Sequence, residues 1–139
     1  MKQTTPHLEH ALLDVSDLSR SLSFYRELLP DWTVRWSGST DRGSRWIHFG
    51  PPGGDQPGYL SLYEIPGAAL PAGSAEEESL AIEHVGIAHP DVDGLIRRLE
   101  GAGIRPADRI EDGSFRRAYF ADPDGHHIEL VERLGKRNG

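Results

Sequence analysis

The chain opens on a short alternation. In LEHALLDV (8–15), Ala11, Leu13 and Val15 fall on one side of an extended backbone, and His10, Leu12 and Asp14 on the other. The period then changes. In DVSDLSRSLSFYRELLP (14–30), Leu18, Leu22, Tyr25 and Leu29 recur at helical spacing. Ser16 or Asp17 stands where a helix cap is needed, and Pro30 ends the segment. Three strand-like runs follow: WTVRWSG, SRWIHFG and GYLSLYEI, the last two separated by the turn formers GPPGGDQPG.

The same order is then written again. IEHVGIAH (82–89) repeats LEHALLDV with an offset of 74: an aliphatic residue, a Glu, a His, and an apolar run. Behind Asp91, Val92, Leu95, Ile96 and Leu99 mark a second amphipathic helix, which Gly101 and Gly103 stop. The runs IRPADRIED, FRRAYFAD and HHIELVER follow, with the turn DPDG before the last. YFADPDG aligns with HFGPPGG at an offset of 71 and HIELVE with YLSLYE at 68, so the first half carries short insertions. The pattern predicts an α+β fold of two βαβββ modules, about residues 7–65 and 81–134, in one domain spanning 1–139. The stretch at about 66–80, rich in Pro, Ala, Gly and Glu, reads as a linker. Neither module can bury both its helix face and its sheet face alone, so the modules are expected to pair.

Strand alternation sorts the side chains. Ile128 and Leu130 take the helix side of the last strand, leaving His127, Glu129 and Val131 on the other. Tyr119 and Arg117 alternate with Ala118 and Phe120, and their counterparts in the first half are His48 and Trp46. Tyr59, Ser61 and Tyr63 share a face opposite Leu60 and Leu62. Both His10 and His84 fall on the face away from the helix. Two imidazoles and a carboxylate, His10, His84 and Glu129, make a three-ligand set for a divalent ion such as Fe, Mn, Ni or Zn, with positions left open for substrate. The other reading makes them ordinary core or surface histidines. Trp46, Tyr59 and Tyr63 stack on a ligand or simply pack. His7, His89 and His126 read as solvated tail, loop and turn residues, and Arg97 and Arg98 as the wet face of the second helix.

Bulk properties narrow the function. The 139 residues are 37% hydrophobic and 27% charged, a soluble globular balance. A net charge of −7 argues against nucleic-acid and anionic-membrane binding in general. With no Cys there is no disulfide, thiolate ligand or thiol nucleophile. No apolar run is long enough to span a membrane and residues 1–7 lack a signal-peptide core, so a cytoplasmic protein is expected. No serine-nucleophile motif, phosphate-binding glycine loop or dinucleotide fingerprint occurs.

LEHALLDVSDLSRSLSFYRELLP and YFADPDGHHIELVE resemble the opening strand and helix and the closing hairpin of the vicinal oxygen chelate superfamily. That group contains glyoxalase I, extradiol dioxygenases, fosfomycin-resistance enzymes and bleomycin-binding proteins. The resemblance covers about residues 8–133. It implies paired βαβββ modules whose curved mixed sheets form an open, barrel-like cleft around a metal. The ligand positions it implies fall on His10, Ser61, His84 and Glu129. Three carry ligand side chains; Ser61 stands where glyoxalase I-like members usually have a carboxylate. Glu64 pairs with Glu132 in the repeat, not with Glu129, and is not promoted to ligand.

The resemblance also implies roles. Tyr119 stands where dioxygenases and fosfomycin-modifying enzymes carry a functional tyrosine, and either it or His48 could move a proton. Trp46, Tyr59, Ser61, Tyr63, Arg117 and His127 are the expected substrate-binding residues. RIEDGSFRRA lacks the His that the extradiol pattern places before the tyrosine, and Leu12 stands where fosfomycin transferases have Thr. The expectation is a divalent-metal-dependent homodimeric enzyme acting on a small molecule, with a dioxygenase favoured over a lyase, isomerase or transferase. The alternative is a metal-free small-molecule-binding protein of the bleomycin-resistance kind.

Overall fold

The computed structural model of the chain describes residues 5–68 and 82–135. They belong to two compact units, divided at Ala69 and Leu70. The first contains β1 (His10–Val15), α1 (Leu18–Leu28), β2 (Thr33–Ser39), β3 (Arg45–Gly50) and β4 (Tyr59–Glu64). The second contains β5 (Val85–Ala88), α2 (Val92–Gly101), β6 (Asp108–Glu111), β7 (Phe115–Ala121) and β8 (His127–Arg133). Most of the expected linker lies outside the described residues.

Both units have the same topology. Their mixed sheets run β1-β4-β3-β2 and β5-β8-β7-β6. β1 is parallel to β4 and β5 to β8, while the remaining pairs are antiparallel. Parallel neighbours need a long crossover, and here the helix and two strands supply it. The α+β class and the doubled βαβββ order are as the periodicity predicts.

Burial follows the alternation. Leu60, Leu62 and Phe49 lie with Val15, Leu18, Tyr25 and Leu28 in the core of the first unit, all nearly or fully buried. In the second unit Ala118, Phe120, Ile128 and Leu130 are buried, as are Val92, Leu95, Ile96 and Leu99. Each fully buried aliphatic or aromatic side chain contributes roughly 1.5–3 kcal/mol. The α2 stripe is the expected one. In α1 the buried positions are Leu18, Ser21, Tyr25 and Leu28, and Leu22 is only half-buried. The stripe therefore runs three, four, three, with a small serine at its middle, and Leu29 is buried as the C-cap beyond the helix.

The helix ends have local causes. Of the two candidate caps before α1, Asp17 accepts from the Arg20 N–H at 3.1 Å, while Ser16 accepts from the Arg20 guanidinium. Asp91 accepts from the Gly94 N–H at 3.0 Å. Gly103, with φ +80, closes α2: its N–H donates to Glu100 and that of Ile104 to Leu99. The GPPGG segment lies in the loop between antiparallel β3 and β4, where Gly53, Gly54 and Gly58 all have positive φ.

A second capping device is duplicated. The carboxylate of Glu64, at the end of β4, accepts from the Leu18 N–H at 2.9 Å and pairs with Arg45 through two bonds of 2.8 and 2.9 Å. Glu132, near the end of β8, accepts from the Val92 N–H at 3.1 Å and has Arg116 at 3.7 Å. Each unit thus ties the first turn of its helix to its inner parallel strand, satisfying an orphan N–H with a charge that the helix dipole favours. Glu64 is a structural residue of the helix side, as its pairing with Glu132 in the repeat implies.

Arg45 first, and then the Leu18 N–H, hold the Glu64 carboxyl at about 2, below its ordinary 4.5. A carboxylate depressed on folding adds stability that is complete above pH 4.5 and is lost as pH falls towards 2. Glu64→Gln is expected to lower stability by about 1–2 kcal/mol at pH 7. Urea denaturation should show the gap between wild type and variant narrowing between pH 5 and 2. A gap independent of pH would contradict this role.

Candidate functional site

In the second unit, burying Ile128 and Leu130 turns Glu129 to the opposite face of β8. There it is only 8% exposed, an unusual place for a carboxylate without partners. Register supplies them. Glu129 lies opposite Gly86 on one side and Tyr119 on the other. The Tyr119 hydroxyl donates to Oε2 at 3.1 Å, and the Arg117 Nε stands 3.6 Å from the same oxygen. His84 Nε2 lies 3.1 Å from Oε1, with its ring edge-on to Tyr119 at 5.8 Å. A Cβ on Gly86 would stand 3.4 Å from Oε1, so the absence of a side chain keeps the carboxylate open on that side.

The arrangement has a chemical consequence. The other ring nitrogen of His84, Nδ1, is 2.7 Å from Glu83 Oε1. An ionised carboxylate only accepts, so Nδ1 is the donor there and a neutral His84 presents a bare lone pair at Nε2. Nε2 and Glu129 Oε1 are then two acceptors facing each other, and only a cation between them, a proton or a metal ion, makes the contact favourable. The donor set of one imidazole nitrogen and one carboxylate oxygen suits a divalent ion.

In the first unit Ser61 stands where Glu129 does, and the positions around it hold rings. His10 stacks on Tyr59 at 5.0 Å and 14°, and His48 lies 4.6 Å from Tyr59 and 5.0 Å from Trp46. Arg35 places its guanidinium 4.9 Å above the Tyr59 ring and donates to the carbonyls of Gln56 and Gly54. It thereby ties the β3–β4 loop to the sheet. Glu9 Oε1 takes both the His10 Nδ1 proton, at 2.6 Å, and the Tyr59 hydroxyl, at 3.1 Å. These groups border a cleft of about 400 Å³ lined by Glu9, Arg35, Trp36, Trp46, His48 and Tyr59, with Gly54 and Asp55 at the loop. In the second unit a cleft of about 510 Å³ runs along Gly86, Ala88, Pro90, Val131 and Arg133; neither Glu129 nor His84 lines it.

The environments set proton affinities. Burial first, then the nearby His10, pushes His48 below its ordinary 6.5, so it is a neutral acceptor at pH 7. Burial first, then the bond to Glu129, pushes Tyr119 above 10. Burial and the bond to Glu9 do the same for Tyr59. The His10 bond draws Glu9 below the usual carboxylate range.

Of the expected site residues, the structure gathers His84, Glu129, Tyr119 and Arg117 in the second unit and His10, His48, Trp46 and Tyr59 in the first. Among the described residues no three His, Asp or Glu side chains stand grouped as a ligand set. Ser61 is buried opposite His48, Tyr63 is half-buried opposite Trp46, and His127 is exposed at the start of β8. Sequence reasoning gave no role to Arg35, Glu9 or Glu83. The repeated Glu-His pair carried a signal for the last two.

The model of the Glyoxalase/Bleomycin resistance protein/Dioxygenase superfamily matches residues 7–130. The chain is 26% identical to the lactoylglutathione lyase of Haemophilus influenzae over 133 residues, covering 94% of this chain and 95% of that protein. It is 30% identical over 128 residues to the glutathione transferase FosA of Serratia marcescens, covering 88% and 78%. Among solved structures it is similar to TnmS3, an antibiotic binding protein from Streptomyces sp. CB03234. The TM-score is 0.69 at 26% identity, over 95% of this chain and 99% of that one.

The Tyr119–Glu129 bond is open to titration. In Glu129→Gln the negative acceptor is gone, so the Tyr119 phenol should ionise at lower pH than in wild type. Ultraviolet titration, with Tyr119→Phe to identify the signal, measures it. No downward movement would contradict the bond.

Proposed function

We propose, for a chain that belongs to the Glyoxalase/Bleomycin resistance protein/Dioxygenase superfamily, that it is a divalent-metal-dependent enzyme acting on a small substrate with two neighbouring oxygens. The ligands are His10, His84 and Glu129. The observation that carries the reading is the 3.1 Å approach of His84 Nε2 to Glu129 Oε1, an imidazole nitrogen and a carboxylate oxygen brought side by side. A bound ion would supply Lewis-acid stabilisation of negative charge developing on the substrate oxygens.

The remaining roles belong to the chain's own groups. Tyr119, a phenol kept protonated by burial and by Glu129, holds a proton at its hydroxyl and can give it to a substrate oxygen. His48, neutral at pH 7, accepts one. Arg117 screens Glu129 at 3.6 Å and offers its remaining donors to an anionic group. Trp46 and Tyr59 present aromatic surface to the body of the substrate, and Ser61, Tyr63 and His127 complete the substrate-facing set. A two-histidine, one-carboxylate set with Tyr119 beside it favours a dioxygenase. The names of the two curated relatives favour a lyase or a transferase.

Tag-free protein loaded anaerobically with Fe, Mn, Ni or Zn should take up one ion per chain. His84→Ala and Glu129→Ala should each lose it. The loaded protein should turn over one of a catechol, a hemithioacetal or fosfomycin with thiol. Absence of stoichiometric metal in wild type would overturn the reading.

The second reading, metal-free binding of a small aromatic ligand, is favoured by the ring-lined cleft of the first unit and by the likeness to TnmS3. A ligand-induced rise in Tm that chelators leave untouched would select it. A homodimer is proposed under either reading, since two βαβββ modules can pair within one chain or with those of a second copy. Light scattering at micromolar concentration should return twice the chain mass; a single chain mass would contradict it.

A further inference from the structure

Both proposed histidine ligands are preceded by a glutamate, and in both units the pair does the same thing. Glu9 Oε1 lies 2.6 Å from His10 Nδ1, and Glu83 Oε1 lies 2.7 Å from His84 Nδ1. Adjacent residues within a strand point to opposite faces, so alternation alone would separate them. Here the geometry is set at the point of entry: His10 is the first residue of β1, and His84 precedes β5. The carboxylate can therefore curl back onto its neighbour's ring.

We infer that Glu9 and Glu83 are positioning residues that hold the proton of each ring on Nδ1 and so leave Nε2 bare for a metal ion. The inference rests on the metal reading above. A neutral imidazole carries one ring proton, and the partner of one nitrogen decides which nitrogen has it. At His84 the contest is explicit. Glu83 accepts at Nδ1, while Glu129 Oε1 faces Nε2 at 3.1 Å and is an equally good acceptor. Without Glu83 the proton moves to Nε2 and sits between the two atoms that would hold the ion. At His10 the same Glu9 oxygen also accepts the Tyr59 hydroxyl, and Tyr59 stacks on the His10 ring. One carboxylate thus fixes the tautomer while its phenol partner fixes the ring plane. The Glu9 and Glu83 side chains are 56% and 83% exposed, so replacing them leaves the core untouched.

The test reads the rings directly. Long-range ¹H–¹⁵N spectra of metal-free, ¹⁵N-labelled protein, taken where the imidazoles are neutral, report the tautomer of each histidine. Wild type should show Nδ1–H at His10 and His84. Glu9→Ala should move His10, and Glu83→Ala should move His84, to Nε2–H. Glu9→Gln and Glu83→Gln, whose amide oxygen accepts the same bond, should restore Nδ1–H. Zn(II) or Co(II) affinity, measured by competition with a chelating dye, should fall about 10–100-fold in the alanine variants and recover in the glutamine ones. Unchanged tautomers in the alanine variants, or switched tautomers with unchanged affinity, overturn the positioning role. Wild type that shows Nδ1–H at both rings but binds no metal overturns the metal reading instead, and the positioning role towards a metal falls with it.

Discussion

The two-residue period of β8 is the constraint on which the candidate site depends. Burying Ile128 and Leu130 in the core of the second unit obliges Glu129 to face the other way. A carboxylate only 8% exposed must then be given partners. β7 provides Tyr119 and Arg117, and the entry to β5 provides His84. The chemistry is thus a by-product of how the sheet buries its apolar side. The helix side shows the same economy: Glu132, which accepts from the start of α2, is three residues beyond Glu129 on the same strand.

The duplication makes each half a control for the other. The carboxylate at the end of the inner parallel strand caps the helix in both, as Glu64 and as Glu132. The Glu-His pair at the entry of the first strand recurs in both. What differs lies on the next two strands of the sheet. Glu129 in the second unit corresponds to Ser61 in the first, and Tyr119 to His48. The second unit therefore concentrates charge and hydrogen bonds, and the first concentrates rings around a cleft. The metal reading draws most on the residues of the second unit, and the metal-free reading on the rings of the first.

Much of this was legible in the sequence because it follows from period and repetition. The βαβββ order, the buried stripe of α2, the cap at Asp91, the faces of β4, β7 and β8, and the pairing of Glu64 with Glu132 all come from spacing and repetition, whereas the choice of Asp17 over Ser16 as the cap of α1 does not. What escaped depends on register and on side-chain reach. Ser21 rather than Leu22 lies in the buried stripe of α1, because helical spacing permits either neighbour and only packing chooses between them. Arg117, expected to meet substrate, already has Glu129 at 3.6 Å. Arg35 gave no signal, since its role is to hold the Gly54 and Gln56 carbonyls of a loop some twenty residues away. Glu9 and Glu83 look like ordinary solvated charges until their carboxylates are placed 2.6 and 2.7 Å from the following ring.

The central proposal is that the imidazoles of His10 and His84 and the carboxylate of Glu129 hold a divalent ion. X-ray absorption at the metal edge of the Zn(II)- or Co(II)-loaded protein tests it most directly. The account predicts nitrogen and oxygen donors at about 2.0–2.2 Å and the outer-shell scattering of two imidazole rings. It also predicts that one ring's contribution disappears in His10→Ala and one in His84→Ala. A first shell of oxygen alone, or two rings that persist in both variants, would contradict it.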